Sequence, residues 1–128
     1  YNKLVKSKNS VEEAFSTMDV YLKKRWDLIP NIVASVKGYA KHEAETLEKV
    51  ISARNNGYSS MNAQQKLEAN AELNTAIKSL NVVAEQYPEL KANQNFMDLN
   101  AQLKKTEEDI SNARKFYNAV VKQPRRMD

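Results

Sequence analysis

The chain has no cysteine, two glycines and three prolines in 128 residues, and each scarcity narrows what it can be. Without cysteine it has no disulfide, no thiolate nucleophile and no cysteine ligand for zinc. So few prolines and glycines favour long, uninterrupted helices over a sheet protein that needs many turns. Within these residues no apolar run reaches the length of a membrane-spanning helix. At this length we expect one domain, residues 1–128.

Histidine is also scarce, which limits metal and catalytic chemistry. The single histidine, His42, is not in the Glu-x-x-His spacing that di-iron helical bundles repeat. It also lacks the cysteine, second histidine or suitably placed serine that a nucleophilic site requires. We therefore expect no catalytic residue, no bound metal and no cofactor, and hence no enzyme.

Neither sign of charge is in large excess. The chain has 20 basic and 16 acidic residues, a formal net charge of +4 and a pI of about 9.2. Most of them are interspersed, as on an ordinary solvated helical surface. A nucleic-acid-binding protein of this size usually concentrates its basic residues on one face, with aromatic side chains between them. We therefore do not expect nucleic acid as a partner.

What the chain does have is an apolar residue at every third or fourth position, in four successive stretches. The clearest stretch lies near the C-terminus and consists of Phe96, Leu99, Leu103, Thr106, Ile110, Ala113, Tyr117 and Val120. Steps of three and four keep these side chains on one face of a helix. The pattern predicts an all-α protein whose helices pack side by side, as in a coiled coil.

Breaks in the pattern predict four helices, at about residues 2–26, 30–56, 61–86 and 93–122. The first break is assigned to Asp27–Pro30, because proline disfavours a helical residue before it and suits the first turn of a new helix. Gly57 and Pro88 mark the next two breaks. Because links this short make consecutive helices antiparallel neighbours, we expect an antiparallel up-and-down four-helix bundle.

This topology would bring basic residues from both ends of the chain together. Lys3, Lys6 and Lys8 would lie beside Lys122, Arg125 and Arg126 and could face anionic lipid or a partner. The alternative is that these are simply the polar ends of helices. Lys23-Lys24-Arg25 forms a second basic group, which we interpret as cations favoured at a helix C-terminus.

Charged residues also fall on the predicted apolar faces. The candidate polar core network consists of Glu43, Arg54, Glu107 and Arg114. A buried carboxylate needs such partners to stay charged, so the network could set the register of the helices. The same residues could instead line a partly wet pocket that binds a small ligand.

Several segments resemble the LemA family. The strongest resemblance is residues 19–33, DVYLKKRWDLIPNIV, and a second segment is residues 85–93, EQYPELKAN. Other matching positions are Val36 to Tyr39, His42, Glu43, Ala53, Arg54, Phe96, Glu107, Ile110, Arg114, Phe116, Tyr117 and Asn118. Trp26 departs from the pattern, since many relatives have Tyr or Phe there.

The resemblance implies a bacterial protein with a helical-bundle domain, no established catalytic activity and one N-terminal transmembrane helix just before the Tyr-Asn segment. This chain starts at Tyr1, within a predicted helix, so we expect the anchor to lie upstream of it. We expect a membrane-tethered scaffold or adaptor of the bacterial envelope that binds the membrane surface or an unidentified protein. The alternative is a ligand-binding, sensor-like bundle with a polar pocket near Glu43 and Arg114.

Overall fold

The structure is a computed structural model that describes residues 2–54 and 57–122, with side chains from residue 10 onward within these ranges. Its helices are α1 (Asn2–Tyr39), α2 (Ala44–Arg54), α3 (Ala63–Glu85), α4 (Pro88–Lys91) and α5 (Gln94–Lys122). A single 3-10 turn, Tyr58–Ser60, lies between α2 and α3. Helix is the only regular secondary structure in the described ranges, which confirms the all-α prediction.

The first helix corrects the predicted break at Pro30. α1 continues through this proline and has 38 residues, so the predicted helices 2–26 and 30–56 do not exist as such. Proline has no N–H, so inside a helix it leaves the carbonyl four residues earlier without its usual donor. That carbonyl belongs to Trp26, and its oxygen accepts a hydrogen bond from Nε of Arg54 at 3.0 Å.

Arg54 therefore supplies from α2 the donor that Pro30 lacks. Its guanidinium also lies over the Trp26 ring, 5.9 Å from the ring centroid, and one of its terminal nitrogens is 3.8 Å from a carboxylate oxygen of Asp27. A charged donor and a cation–π contact reinforce each other here. Because the freed carbonyl is satisfied, the helix passes through the proline without ending.

The chain turns instead at residues 40–43. Gly38 lies in the last turn of α1, where glycine costs about 1 kcal/mol relative to alanine. The backbone N–H of Glu43 then donates to the carbonyl oxygen of Ala40 at 3.1 Å and closes the turn. Ala40 is fully buried, so the turn is held against the core.

The later helices begin and end within two residues of the predicted ranges. Asn62 caps α3: its side chain accepts from the N–H of Gln65, whose own side chain accepts from the N–H of Asn62. Asn93 caps α5 by accepting from the N–H of Phe96 at 3.0 Å. Both caps use side chains that satisfy N–H groups left free in the first turn of a helix. Pro88 ends the run of α3 and opens α4, as proline suits a first turn.

α1 and α5 contact each other along most of their length. Near the start of α5, Asn93 donates to the hydroxyl oxygen of Tyr39 at 2.9 Å. Towards the other end, the rings of Phe15 and Tyr117 meet edge to face at 5.8 Å. The predicted face of α5 is turned inward, with Leu103 only 1% exposed.

α2 and α3 cover the remaining sides of α1 and share one core with it. The most deeply buried large apolar side chains come from all five helices: Met18, Ile29, Ile32, Val36, Val50, Leu73, Leu80, Leu90 and Leu103. α1 contacts each of the other four helices. Its continuity therefore determines how the others are arranged.

We predict that Arg54→Ala lowers the free energy of unfolding by about 1.5–3 kcal/mol, because it removes a charged donor from a half-buried carbonyl. Urea unfolding followed by circular dichroism measures this. In a Pro30→Ala background the backbone N–H of residue 30 can bond Trp26, so the same change should cost clearly less. Equal losses in the two backgrounds would show that Arg54 does not act through this carbonyl.

Candidate functional site

The six basic residues predicted to gather at one end fall partly outside the described chain. Lys122 ends α5 and its side chain is exposed. Lys3, Lys6 and Lys8 lie in the first turns of α1, where the backbone alone is described. The predictions for Arg125 and Arg126 concern residues outside the described ranges.

The start of α1 and the end of α5 lie side by side. Ser10, Ala14 and Thr17 of α1 face Phe116 and Val120 of α5 across a shallow groove of about 530 Å³. Since a helix rises about 1.5 Å per residue, Lys3 lies on the same helix about 10 Å beyond Ser10. Within the described residues, the start of α1 and the end of α5 thus lie at the same end of the molecule.

Acidic residues are missing from both of these segments. Residues 1–11 contain three lysines and no Asp or Glu, and residues 110–127 contain Arg114, Lys115, Lys122, Arg125 and Arg126, again with no Asp or Glu. We call residues 1–11 and 110–127 the basic pole. It holds eight of the 20 basic and none of the 16 acidic residues, so the remainder has 12 basic and 16 acidic residues and a formal charge of −4.

Arg114 and Lys115 enlarge the predicted basic end. Both side chains are exposed on α5, within two turns of Lys122. Sequence reasoning assigned Arg114 to the core and overlooked Lys115, because it followed the apolar spacing and not the distribution of acids. A count of Asp and Glu along the chain would have found the whole pole.

The predicted polar core network is corrected by the exposure of its members. Glu107 and Arg114 are exposed, while Glu43 and Arg54 are half-buried. Consecutive helical residues are about 100° apart around the axis. Thr106 takes the inward position and is only 1% exposed, so its neighbour Glu107 is turned towards solvent.

The four residues of this network are also not brought together. Glu43 lies in the turn after α1, and its carboxylate oxygen Oε1 accepts a hydrogen bond from the hydroxyl of Tyr87 at 3.5 Å. Arg114 lies one turn before Tyr117, which packs on Phe15 in the opposite half of α1. The helical rise puts Glu43 and Arg114 about 30 Å apart along the helix axis. A shared ligand pocket near these two residues is therefore not formed.

A different charged residue, Arg25, is in the core. It is 1% exposed, and its Nε and Nη1 have no hydrogen-bond partner among the described groups. Burial lowers the pKa of Arg25 and the carboxylate of Glu107 opposes this by raising it. The sequence interpretation of Arg25 as part of a surface basic group was wrong. Its spacing of three and four residues from buried Leu22 and Ile29 was the signal for an inward position.

A second polar cluster holds the segment between α2 and α3 against α1. The hydroxyl of Tyr58 donates to a carboxylate oxygen of Asp19, whose other oxygen is 3.1 Å from Nζ of Lys66. The Lys66 ammonium also lies 4.6 Å from the centroid of the Tyr58 ring, which packs on Trp26 at 5.4 Å. Burial and the neighbouring carboxylates of Asp19 and Asp27 raise the pKa of Tyr58 well above its usual range. This keeps the phenol protonated as a structural donor and makes it a poor acid.

No group of three or more His, Cys, Asp or Glu side chains within residues 10–54 and 57–122 is arranged to hold a metal ion. In the part of the chain that the structure describes, no helix combines the length and the apolar character needed to cross a bilayer.

The described residues thus form an all-helical protein whose helices pack around one core. The family model described as the LemA family matches residues 14–125, most of the chain. The chain therefore belongs to the LemA family, as the resemblance indicated. A curated relative, Protein LemA of Metamycoplasma hominis, is 25% identical over 120 residues, which cover 93% of this chain and 55% of the relative. The chain thus spans about half the length of that protein.

We predict that Glu107→Gln lowers the free energy of unfolding by about 1 kcal/mol, because it removes the negative charge that offsets buried Arg25. Arg25→Met should be neutral or stabilising, since it replaces a desolvated cation with an apolar side chain of similar volume. In the Arg25→Met background Glu107→Gln should have no effect. Exposed Glu108→Gln is the matched control, and equal effects of the two Glu changes would contradict the pairing.

We predict that Tyr58→Phe lowers the free energy of unfolding by about 1 kcal/mol at neutral pH, because one hydrogen bond is lost. An unfolded tyrosine loses its proton near pH 10, whereas folded Tyr58 keeps it, so this stabilisation is present below about pH 10 and is lost as the pH rises further. The parent should therefore approach the variant in alkaline urea titrations. Tyr39→Phe is the control for the alkaline profile, because the exposed Tyr39 hydroxyl accepts its hydrogen bond from Asn93 and does not donate to a carboxylate. Profiles of parent and Tyr58→Phe that stay parallel would oppose the assignment.

Proposed function

We propose that this chain is a non-catalytic scaffold or adaptor that binds an anionic membrane surface through its basic pole. The charge of its two segments carries the proposal: residues 1–11 and 110–127 contain eight cations and no acid, against a net charge of −4 elsewhere. One acid from outside these segments, Glu13, lines the groove between them. A cation near an anionic leaflet contributes up to about 1 kcal/mol. Because the start of α1 and the end of α5 share a groove, both segments of the pole can meet one surface.

The proposal includes a topology in which the four longer helices alternate in direction. Two contacts support this for α1 and α5, the Asn93–Tyr39 hydrogen bond at one end and the Phe15–Tyr117 ring pair at the other. For α3, the Lys66–Asp19 ion pair near its start supports a course parallel to α1. Such a topology is an antiparallel up-and-down bundle, with the start of α1 and the end of α5 at the basic pole.

We further propose that the chain is tethered to the bacterial membrane by a helix N-terminal to Tyr1. Two observations support this. Family membership is one, since the resemblance implies such an anchor in LemA proteins. The other is the charge of the pole, because an anchor joined to α1 would hold Lys3, Lys6 and Lys8 close to the lipid headgroups. The remaining surface of the bundle would then be available to a protein partner.

The test is flotation of this chain with phosphatidylcholine vesicles that contain phosphatidylglycerol. We expect binding at low salt, loss of binding at high salt, and no binding to vesicles of phosphatidylcholine alone. Changing Lys3, Lys6, Lys8, Lys122, Arg125 and Arg126 to Gln should weaken binding at least about 100-fold, because each cation contributes up to about 1 kcal/mol.

The matched control removes the same number of charges elsewhere. Its six exposed lysines, changed to Gln, are Lys24, Lys37, Lys41, Lys49, Lys78 and Lys104. This variant has the same net charge as the pole variant, so any difference between the two reports the position of the charge. Equal loss in both variants, or full binding by the pole variant, would overturn the proposal.

A further inference from the structure

The basic pole also exposes large apolar side chains. Phe116 is 60% exposed and Val121 is 38% exposed, and both lie in the last two turns of α5. Val120, between them in the sequence, is half-buried on the groove that α5 forms with α1. Exposed apolar side chains also occur elsewhere, at Val20 and Val82, but in the basic pole Phe116 and Val121 each have a lysine as sequence neighbour.

These side chains alternate with cations on the same two turns. Lys115 precedes Phe116 and Lys122 follows Val121, and both ammonium groups are on exposed side chains. A membrane interface accepts this mixture, because apolar groups enter the acyl region while lysine stems extend to leave the charge at the phosphates. Attraction to phosphate groups alone would involve the lysines and would leave Phe116 and Val121 exposed to water.

The surroundings of Phe116 disfavour a second copy of the chain as its occupant. The wall of the groove on α1 contains the small side chains of Ser10, Ala14 and Thr17, with Ser16 and one acid, Glu13. In a twofold dimer the same patch meets itself, so two poles rich in basic residues would be brought together. An anionic bilayer has the opposite charge and also an apolar interior.

We propose that the basic pole inserts Phe116 and Val121 into the interfacial region of an anionic bilayer. The inference rests on the proposed function and adds to it a mode of contact: charge attracts the pole to the surface, and these side chains then enter the lipid. The electrostatic contribution to binding should therefore be lost at high salt, whereas the contribution of the inserted apolar side chains should remain.

The absence of cysteine makes the experiment direct. Phe116→Cys provides a single thiol for an environment-sensitive nitrobenzoxadiazole label, and Val82→Cys, at an exposed valine of α3 (61%), is the matched control. With vesicles that contain phosphatidylglycerol, the label at 116 should shift its emission to the blue and be quenched by spin-labelled lipid. The label at 82 should do neither.

A second measurement uses unlabelled variants. Phe116→Ser with Val121→Ser should weaken vesicle binding at least about tenfold, whereas Val20→Ser with Val82→Ser should leave it unchanged. The residual binding of the first variant should disappear completely at high salt.

The possible outcomes separate this inference from the proposed function. Salt-sensitive binding with no change at label 116 would overturn insertion and leave the electrostatic function standing. No vesicle binding by the parent would remove both. A lipid-free dimer in light scattering that Phe116→Ser dissociates would identify the patch as an interface between copies and overturn the inference.

Discussion

The structure depends on one helix passing through a proline. Pro30 lies inside α1 and leaves the carbonyl of Trp26 without its helical donor, and Arg54 supplies that donor from α2. Since α1 contacts all the other helices, the course of the whole chain follows from this continuity. The same contact fixes the end of α2 against the middle of α1. Beside it, Tyr58 and Asp19 attach the following segment to the same part of α1.

The apolar spacing predicted the helix content and the inward face of α5, because both depend on residues close together in the sequence. It failed at Pro30 for a physical reason. Whether a proline ends a helix depends on whether the freed carbonyl finds another donor, and Arg54 is 24 residues further along the chain. The missing N–H group of the proline is evident from the local sequence, whereas the guanidinium that replaces it is not.

The candidate site was predictable as far as it rests on composition, and not where it depends on side-chain orientation. Lys122 is exposed at the end of α5, and the groove between α1 and α5 lies between the start of one helix and the end of the other. The gathering of all six predicted basic residues stays a prediction. Glu107 was assigned to the interior, although one step around the helix separates it from buried Thr106. Arg25 shows the reverse error, since its basic neighbours in the sequence concealed its inward position. An apolar residue at every third or fourth position defines the buried face of a helix to within about one residue. Whether a charged residue at the edge of that face is buried depends on how the helices pack.

The length of α1 beyond the first turn of α3 has an electrostatic consequence. Lys66, in the first turn of α3, lies beside Phe15 and Asp19, so residues 2–11 continue past it for about 15 Å, with the end of α5 alongside part of this stem. The remainder of the bundle, with its formal charge of −4, would be repelled by an anionic leaflet in direct contact with it. At physiological ionic strength such repulsion decays over about 8 Å. In the proposed contact with an anionic membrane, these projecting helix ends would hold the negatively charged remainder of the bundle more than one screening length away from the lipid headgroups.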